Sequence, residues 1–385
     1  MFKMKKIAIL TQPLHDNYGG LLQAYALKET LKSLGHSPLV VNRHGAGVHP
    51  FRRKLSKLKN TLLNRPVRPN QYLNDRQKAV ISEKTIGFRA KYIPELSSLI
   101  TSQRGMKRLL TKDIDAYVVG SDQCWRPRYS PCISNYFLDF AKESKGIKRI
   151  AYAASFGTAE WEFNEADTLE CKNLLKLFDA ISVREDDGVD LVQNHLGRAD
   201  AIHVLDPTML LPTSAYDRIT AEQKVPDSSG NLKIYVLDKN AEKEEFIRQA
   251  ASRLQLETFE VMPERRVQQE KVTDANVELF KYPCPSKWLK GFQDAQFVIT
   301  DSFHGTVFSI LYNKPFIALG NERRGMSRFT SLLKMFGLQD RLVLDLKADG
   351  AMELLEQTVD WQQVNEILRR EREKAMNFLK DNLEP

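Results

Sequence analysis

The first forty residues confine the chain to few folds. Lys6-Ile-Ala-Ile-Leu10 is a short β-type run, a polar loop follows to Gly20, and Leu21, Leu22, Ala24, Tyr25, Leu27, Leu31 and Leu34 then recur at helical spacing. Gly35 stops that helix and Leu39-Val-Val41 reads as a second strand, so the stretch is one βαβ unit with a parallel sheet. The same alternation returns twice. Strands are expected at 116–119, 149–156, 180–183 and 202–205 with a helix over 164–178, then strands at 234–237, 258–262, 297–300 and 316–319 with helices over 241–254, 286–294 and 305–311.

A chain of 385 residues exceeds the size at which one core usually keeps growing, so an α/β protein of two βαβ-built halves is expected. The first half covers residues 1–215, with a basic insertion of loops and helices at about 43–112; the second covers 216–350. A polar stretch with Pro and Gly near 211–230 reads as the linker, and amphipathic helices over 351–385 are expected to pack back across the first half.

The composition, 42% hydrophobic and 28% charged, is that of a globular protein. The apolar run at the N-terminus is too short for a secretory signal, and no stretch is long enough to span a membrane. Cys124, Cys132, Cys171 and Cys284 lack metal-ligand spacing, no two histidines pair at ligand spacing on one helix, and no metal or cofactor is expected. A reducing cytoplasm fits the cysteines. The net charge is +8, concentrated in one cluster (Arg52, Arg53, Lys54, Lys57, Lys59, Arg65, Arg68) and another (Arg104, Lys107, Arg108, Lys112). Solvated faces are the plain reading; peripheral docking to anionic lipid is the other. No nucleic-acid signature accompanies the charge.

In open α/β sheets, ligands bind beyond the carboxyl ends of the strands. Thr300-Asp301-Ser302-Phe303-His304-Gly305-Thr306 ends a strand and enters an apolar helix, so free amides at Gly305 and Thr306 form a candidate anion site and His304 a candidate general acid. Asp301 and Ser302 serve equally well as a helix cap. Asn17, Gly19, Gly20 and Gln23 are a second set of candidate binding residues, in a loop whose His15 and Asp16 read as exposed turn residues. Ser121, Asp122, Gln123 and Trp125 carry the side chains a sugar needs, although a capped turn with a buried Trp is the alternative. Arg184 offers a bidentate fork to a carboxylate or phosphate, or else a simple ion pair.

Taken in order, Asp16-Asn17-Tyr18-Gly19-Gly20 with Leu22-Gln23-Ala24, Val119-Gly120-Ser121-Asp122-Gln123 with Trp125, Ala151-Tyr-Ala-Ala-Ser155-Phe-Gly157, Ser182-Val183-Arg184-Glu185, Asp206-Pro207-Thr208 and Thr300-Asp301-Ser-Phe-His304-Gly305 resemble the polysaccharide pyruvyltransferase family. The resemblance implies two Rossmann-like domains in a GT-B-like arrangement with the active site in the interdomain cleft. It implies an acceptor on the N-terminal side and phosphoenolpyruvate as donor on the C-terminal side. The pyruvyl group would pass to a carbohydrate acceptor, lipid-linked in one version, as a ketal. His304 and Arg184 would serve the donor, with Asp122 or Asp301 accepting a hydroxyl proton and Ser155 among the binding residues. Many members carry Arg-Leu where this chain has Ser302-Phe303, which removes a cation from beside the histidine. A nucleotide-sugar-dependent GT-B glycosyltransferase is the principal rival reading, and a carbohydrate- or anionic-lipid-binding module the other. The sequence sets no oligomeric state.

Overall fold

The computed structural model describes residues 4–46, 73–111, 113–267, 269–320, 325–347 and 350–384. The first basic cluster, at positions 52–68, lies outside them. Two all-parallel sheets organise the chain. The first contains β1 (Lys6–Leu10), β2 (Ser37–Val40), β3 (Ala116–Val119), β4 (Lys148–Ala154), β5 (Ala180–Val183) and β6 (Ile202–His203), in the order β2-β1-β3-β4-β5-β6. The second contains β7 (Leu232–Tyr235), β8 (Thr258–Glu260), β9 (Phe297–Thr300), β10 (Phe316–Leu319) and β11 (Leu342–Val343), in the order β11-β10-β9-β7-β8.

The strands are short apolar runs because both faces are covered. In β1, Ile7 and Ile9 join one core, while Ala8 and Leu10 join another on the opposite face. The first of these cores continues into the second half of the chain through Trp288, Val298 and Phe308, so the halves share packed apolar surface. The helix Trp361–Leu383 reaches back to the first sheet: Phe378 meets the Tyr152 ring at 6.3 Å, Arg372 donates to the Met209 carbonyl and Lys374 to that of His203.

Two elements depart from expectation. The stretch read as a linker begins with the helix Thr213–Glu222, whose Tyr216 and Ile219 are buried. The helix Ser327–Phe336, unforeseen from the sequence, lies against the first half: Ser327 donates to Asp187, Ser331 accepts from the Asp186 amide at 2.8 Å, and Lys334 pairs with Asp186 at 2.9 Å. Arg104, Lys107 and Arg108 are exposed. Among the described residues no helix is long and apolar enough to cross a membrane.

Lys233 is an inserted charge in an apolar layer. It is fully buried on β7, with its ammonium 4.6 Å from the Phe292 ring and 5.4 Å from that of Phe259, and burial pushes its pKa down to about 7. Between pH 7 and about 10 the unfolded chain therefore binds the extra proton, so stability rises with pH across that window. Lys233→Met should raise stability at pH 7 by ~2 kcal/mol, a gain that shrinks toward pH 10. Urea denaturation at both pH values measures it, and a constant difference would contradict the burial argument.

Candidate active site

Each sheet has one point at which successive connections leave in opposite directions. In the first it lies between β1 and β3, and in the second between β7 and β9. Such points leave a crevice beyond the strand ends. Here the two crevices meet in a single cavity of about 780 Å³. Gln12, Asn17, Tyr18, Asp122 and Gln123 line it from the first half, and Tyr235, Asp238, Asp301, Ser302 and His304 from the second.

Beneath this cavity lies a buried charge cluster. The Arg184 side chain is 1% exposed and donates to Asp206 Oδ2 at 2.8 Å and to Asp122 Oδ1 at 3.3 Å, while Glu185 Oε1 lies 3.4 Å from its Nε. The ring of Phe303 covers the guanidinium at 4.5 Å. Asp206 is further fixed by the amide and hydroxyl of Thr208 on Oδ1, at 2.9 and 2.7 Å. Its other oxygen lies 3.5 Å from His304 Nε2, an ion-pair distance without the alignment of a hydrogen bond. Burial alone would raise the carboxyl of Asp206, but His304 and Arg184 hold it below the usual carboxylate range. Asp122 is lowered against the same opposition by Arg184, His304 and Arg328. Burial dominates at Glu185, which is raised despite Arg184.

His304 crosses the boundary between the halves. It stands on the first turn of the helix Phe303–Leu311 and packs against Gly19, where an added Cβ would fall 2.1 Å from Nδ1. An imidazole beside a carboxylate in the wall of a cavity is placed for acid–base chemistry.

A family model described as polysaccharide pyruvyl transferase matches residues 17–323. The chain belongs to this family. No curated protein matches the chain significantly. Among solved structures, UDP-GlcNAc 2-epimerase from Methanocaldococcus jannaschii has a TM-score of 0.53 at 11% identity, covering 93% of this chain and 93% of its own. UGT89C1 from Arabidopsis thaliana complexed with UDP-L-rhamnose has a TM-score of 0.50 at 11% identity, covering 97% of this chain and 94% of its own. These likenesses place the fold with GT-B proteins and say nothing of substrate.

In this pyruvyl transferase family member, the residues singled out from the sequence divide in two. His304, Asp122, Gln123, Asn17 and Gly20 line the cavity, and so does Asp301. Asp301, however, is fully buried and accepts from the amides of Leu237 and Asp238, at 2.6 and 3.0 Å, and from Lys243 Nζ at 2.8 Å. It braces the loop after β7 and is no candidate base. Gln123 accepts from Arg126 at 2.9 Å, and Asn17 caps its helix through the Gly20 amide at 3.3 Å.

The others lie beneath the wall. Trp125 is a core residue, stacked on Phe137 at 4.9 Å and donating to the Tyr136 carbonyl. Gln23 joins the first and third strand ends, donating to Thr11 Oγ1 at 2.7 Å and accepting from the Ser121 amide at 3.1 Å. Ser121 donates to the Ala153 carbonyl at 2.6 Å, and Ser155 donates to Glu185. The amide of Gly305 is taken by Ser302, which is the cap, and that of Thr306 by the Ser302 carbonyl. Gly305 is needed because a Cβ would strike Thr300 Oγ1 at 2.2 Å. The amides without an intrahelical acceptor are those of Phe303 and His304 instead. Arg184 does not reach the cavity, which corrects its reading as a donor clamp.

Asp206 had only its place in a motif to announce it. Arg328, buried in the cavity wall, had no signal of its own, since an arginine at the start of an amphipathic helix is ordinary. His15 and Asp16 also line the cavity; Asp16 accepts from Ser82 at 2.8 Å and from Thr85, on the helix Glu83–Tyr92. Cys124 is buried, and its thiol is pushed up to about 12, chiefly by that burial.

Gly19→Ala should displace the imidazole and lower turnover about a hundredfold with the fold intact. Gly20→Ala, whose Cβ would meet Asn17 at an ordinary 3.5 Å, should stay near wild type. Kinetics and circular dichroism of the two side by side test this. Arg184→Gln strands buried carboxylates and should cost about 3–5 kcal/mol in urea denaturation; a loss below about 1 kcal/mol would show the cluster relaxes without it.

Proposed function

We propose that the protein transfers the pyruvyl group of phosphoenolpyruvate to two hydroxyls of a sugar residue as a ketal, with release of phosphate, in the assembly of a cell-surface polysaccharide. The family supports pyruvyl transfer. The observation that supports the chemistry is the His304 imidazole, which stands 3.5 Å from Asp206 in the wall of a cavity large enough for donor and sugar together.

In this reading His304, as imidazolium, gives its proton to the methylene carbon of the donor, which becomes the methyl group. The electron-poor adjoining carbon is attacked by one sugar hydroxyl, whose proton returns to the imidazole. The carbon–oxygen bond to phosphate then breaks, the second hydroxyl closes the ring, and its proton leaves with the phosphate. Asp206 stabilises the imidazolium and fixes its orientation, and Arg184 in turn holds Asp206. Of the tyrosines that line the cavity, Tyr18 and Tyr235 are buried, so Tyr129 and Tyr282 are the rings a sugar would meet.

Phosphate release from phosphoenolpyruvate with a panel of sugar acceptors tests the reading. Acceptor-dependent release should fall at least about a hundredfold in His304→Ala. Asp206→Asn should lower turnover strongly while leaving donor affinity within about threefold, because it acts on the imidazole. Release of a nucleoside diphosphate from a nucleotide sugar would overturn the proposal.

A further inference from the structure

We propose that His15, on the first-half wall of the cavity, takes the proton of the second sugar hydroxyl. This rests on the pyruvyl-transfer reading. In that reaction His304 gives one proton to the donor carbon and takes one from the first hydroxyl, so it is an imidazolium again when the ring closes and has no place for another. A proton acceptor elsewhere in the wall serves that step. The carbon–oxygen bond to phosphate breaks with its electron pair going to phosphate, the second hydroxyl oxygen bonds to the carbon, and its proton moves to a ring nitrogen of His15. His15 then passes that proton to the phosphate, which leaves as hydrogen phosphate.

Among the described residues, four aspartates line the cavity beside the two histidines. Asp16 accepts from Ser82 and Thr85, Asp301 from two amides and Lys243, and Asp238 has a partner within the protein. Burial would raise Asp122, but Arg184, 3.3 Å away, His304 and Arg328 hold it below the usual carboxylate range, and a carboxylate so stabilised is a weak base. His15 differs. Its exposed side chain lines the cavity, and its interactions are a ring contact with His44 and the charges of Asp16 and Arg89, with no hydrogen bond on either ring nitrogen among the described residues. The loop around it is nonetheless held: Arg89 donates to the Leu14 carbonyl at 2.9 Å, Asn17 caps the next helix, and the imidazole meets the His44 ring edge-on at 4.8 Å. Loss of part of its water lowers its pKa, opposed by Asp16 and aided by Arg89, so the ring is a neutral base at pH 7. It belongs to the same segment as Gly19, against which His304 packs, so both imidazoles serve one stretch of wall.

Phosphate release by the full chain from phosphoenolpyruvate and nitrophenyl glycosides of galactose, mannose and glucose, in deuterium oxide, for wild type, His15→Gln and His304→Ala, tests the assignment. His15→Gln should lower kcat about a hundredfold and leave KM for phosphoenolpyruvate within about threefold. The first addition and its reversal need only His304, so deuterium should still enter the methylene group of recovered phosphoenolpyruvate when acceptor is present. The ratio of that exchange to phosphate release should rise at least about tenfold over wild type. His304→Ala should lose both. A merely structural role at His15 would lower exchange and release together. An unchanged kcat in His15→Gln overturns the proposal, as does a fall in exchange as large as the fall in release, and neither touches pyruvyl transfer by the wild type. Wild type that binds no phosphoenolpyruvate in calorimetry overturns the donor reading itself and takes this assignment with it.

Discussion

A guanidinium with a 1% exposed side chain is an expensive thing to place in a protein interior, and Arg184 is tolerated only because Asp122, Asp206 and Glu185 surround it. Those partners come from different parts of the first sheet: the end of β3, the end of β5 and the segment after β6. The cluster therefore ties three strand ends together and fixes the floor of the cavity. Asp206 is the member that matters most for chemistry, since one oxygen is committed to Thr208 and the other is shared between Arg184 and His304. An aspartate so restrained cannot turn away from the imidazole.

The second half supplies that imidazole, and the first half makes room for it with a missing side chain. Gly19 lies on the first turn of the helix after β1, and His304 on the first turn of the helix after β9. Both helices start at a topological switch point, which is why a contact between them also lies at the cavity wall. The shared apolar core behind the contact holds the two halves in register. Here the arrangement of domains and the placing of the imidazole are one constraint.

The strands were readable because parallel strands covered on both faces become unbroken apolar runs, as in Lys6–Leu10 and Phe297–Thr300. Helix Ser327–Phe336 was not, because its start carries no side-chain cap and its arginine resembles a solvated one. At the site the difficulty was different. A polar residue at a strand end is equally useful for satisfying a buried loop or for meeting a ligand, and the two uses draw on the same residue types. Gln23, Ser121, Ser155 and Asp301 proved to be of the first kind, His304 and Asp122 to lie in the wall. Only the fold separates them, since it decides which side of the loop faces the cavity. Trp125 follows the same logic: a large ring near a site packs inward unless the backbone turns it out.

This division bears on how the site works. Many of the polar groups around the cavity are engaged within the protein, Asp301 and Gln123 among them. What the cluster offers is preorganisation: a carboxylate kept ionised, an imidazole kept beside it, and a cation across the Phe303 ring. In the proposed reaction the protein's contribution to rate lies mainly in holding the proton where it is needed, because dipoles already oriented do not have to reorganise as the reaction proceeds. Weakening the floor at Arg184 and moving the imidazole at Gly19 should then damage turnover by the same route, through His304, although the two residues lie in different parts of the first half.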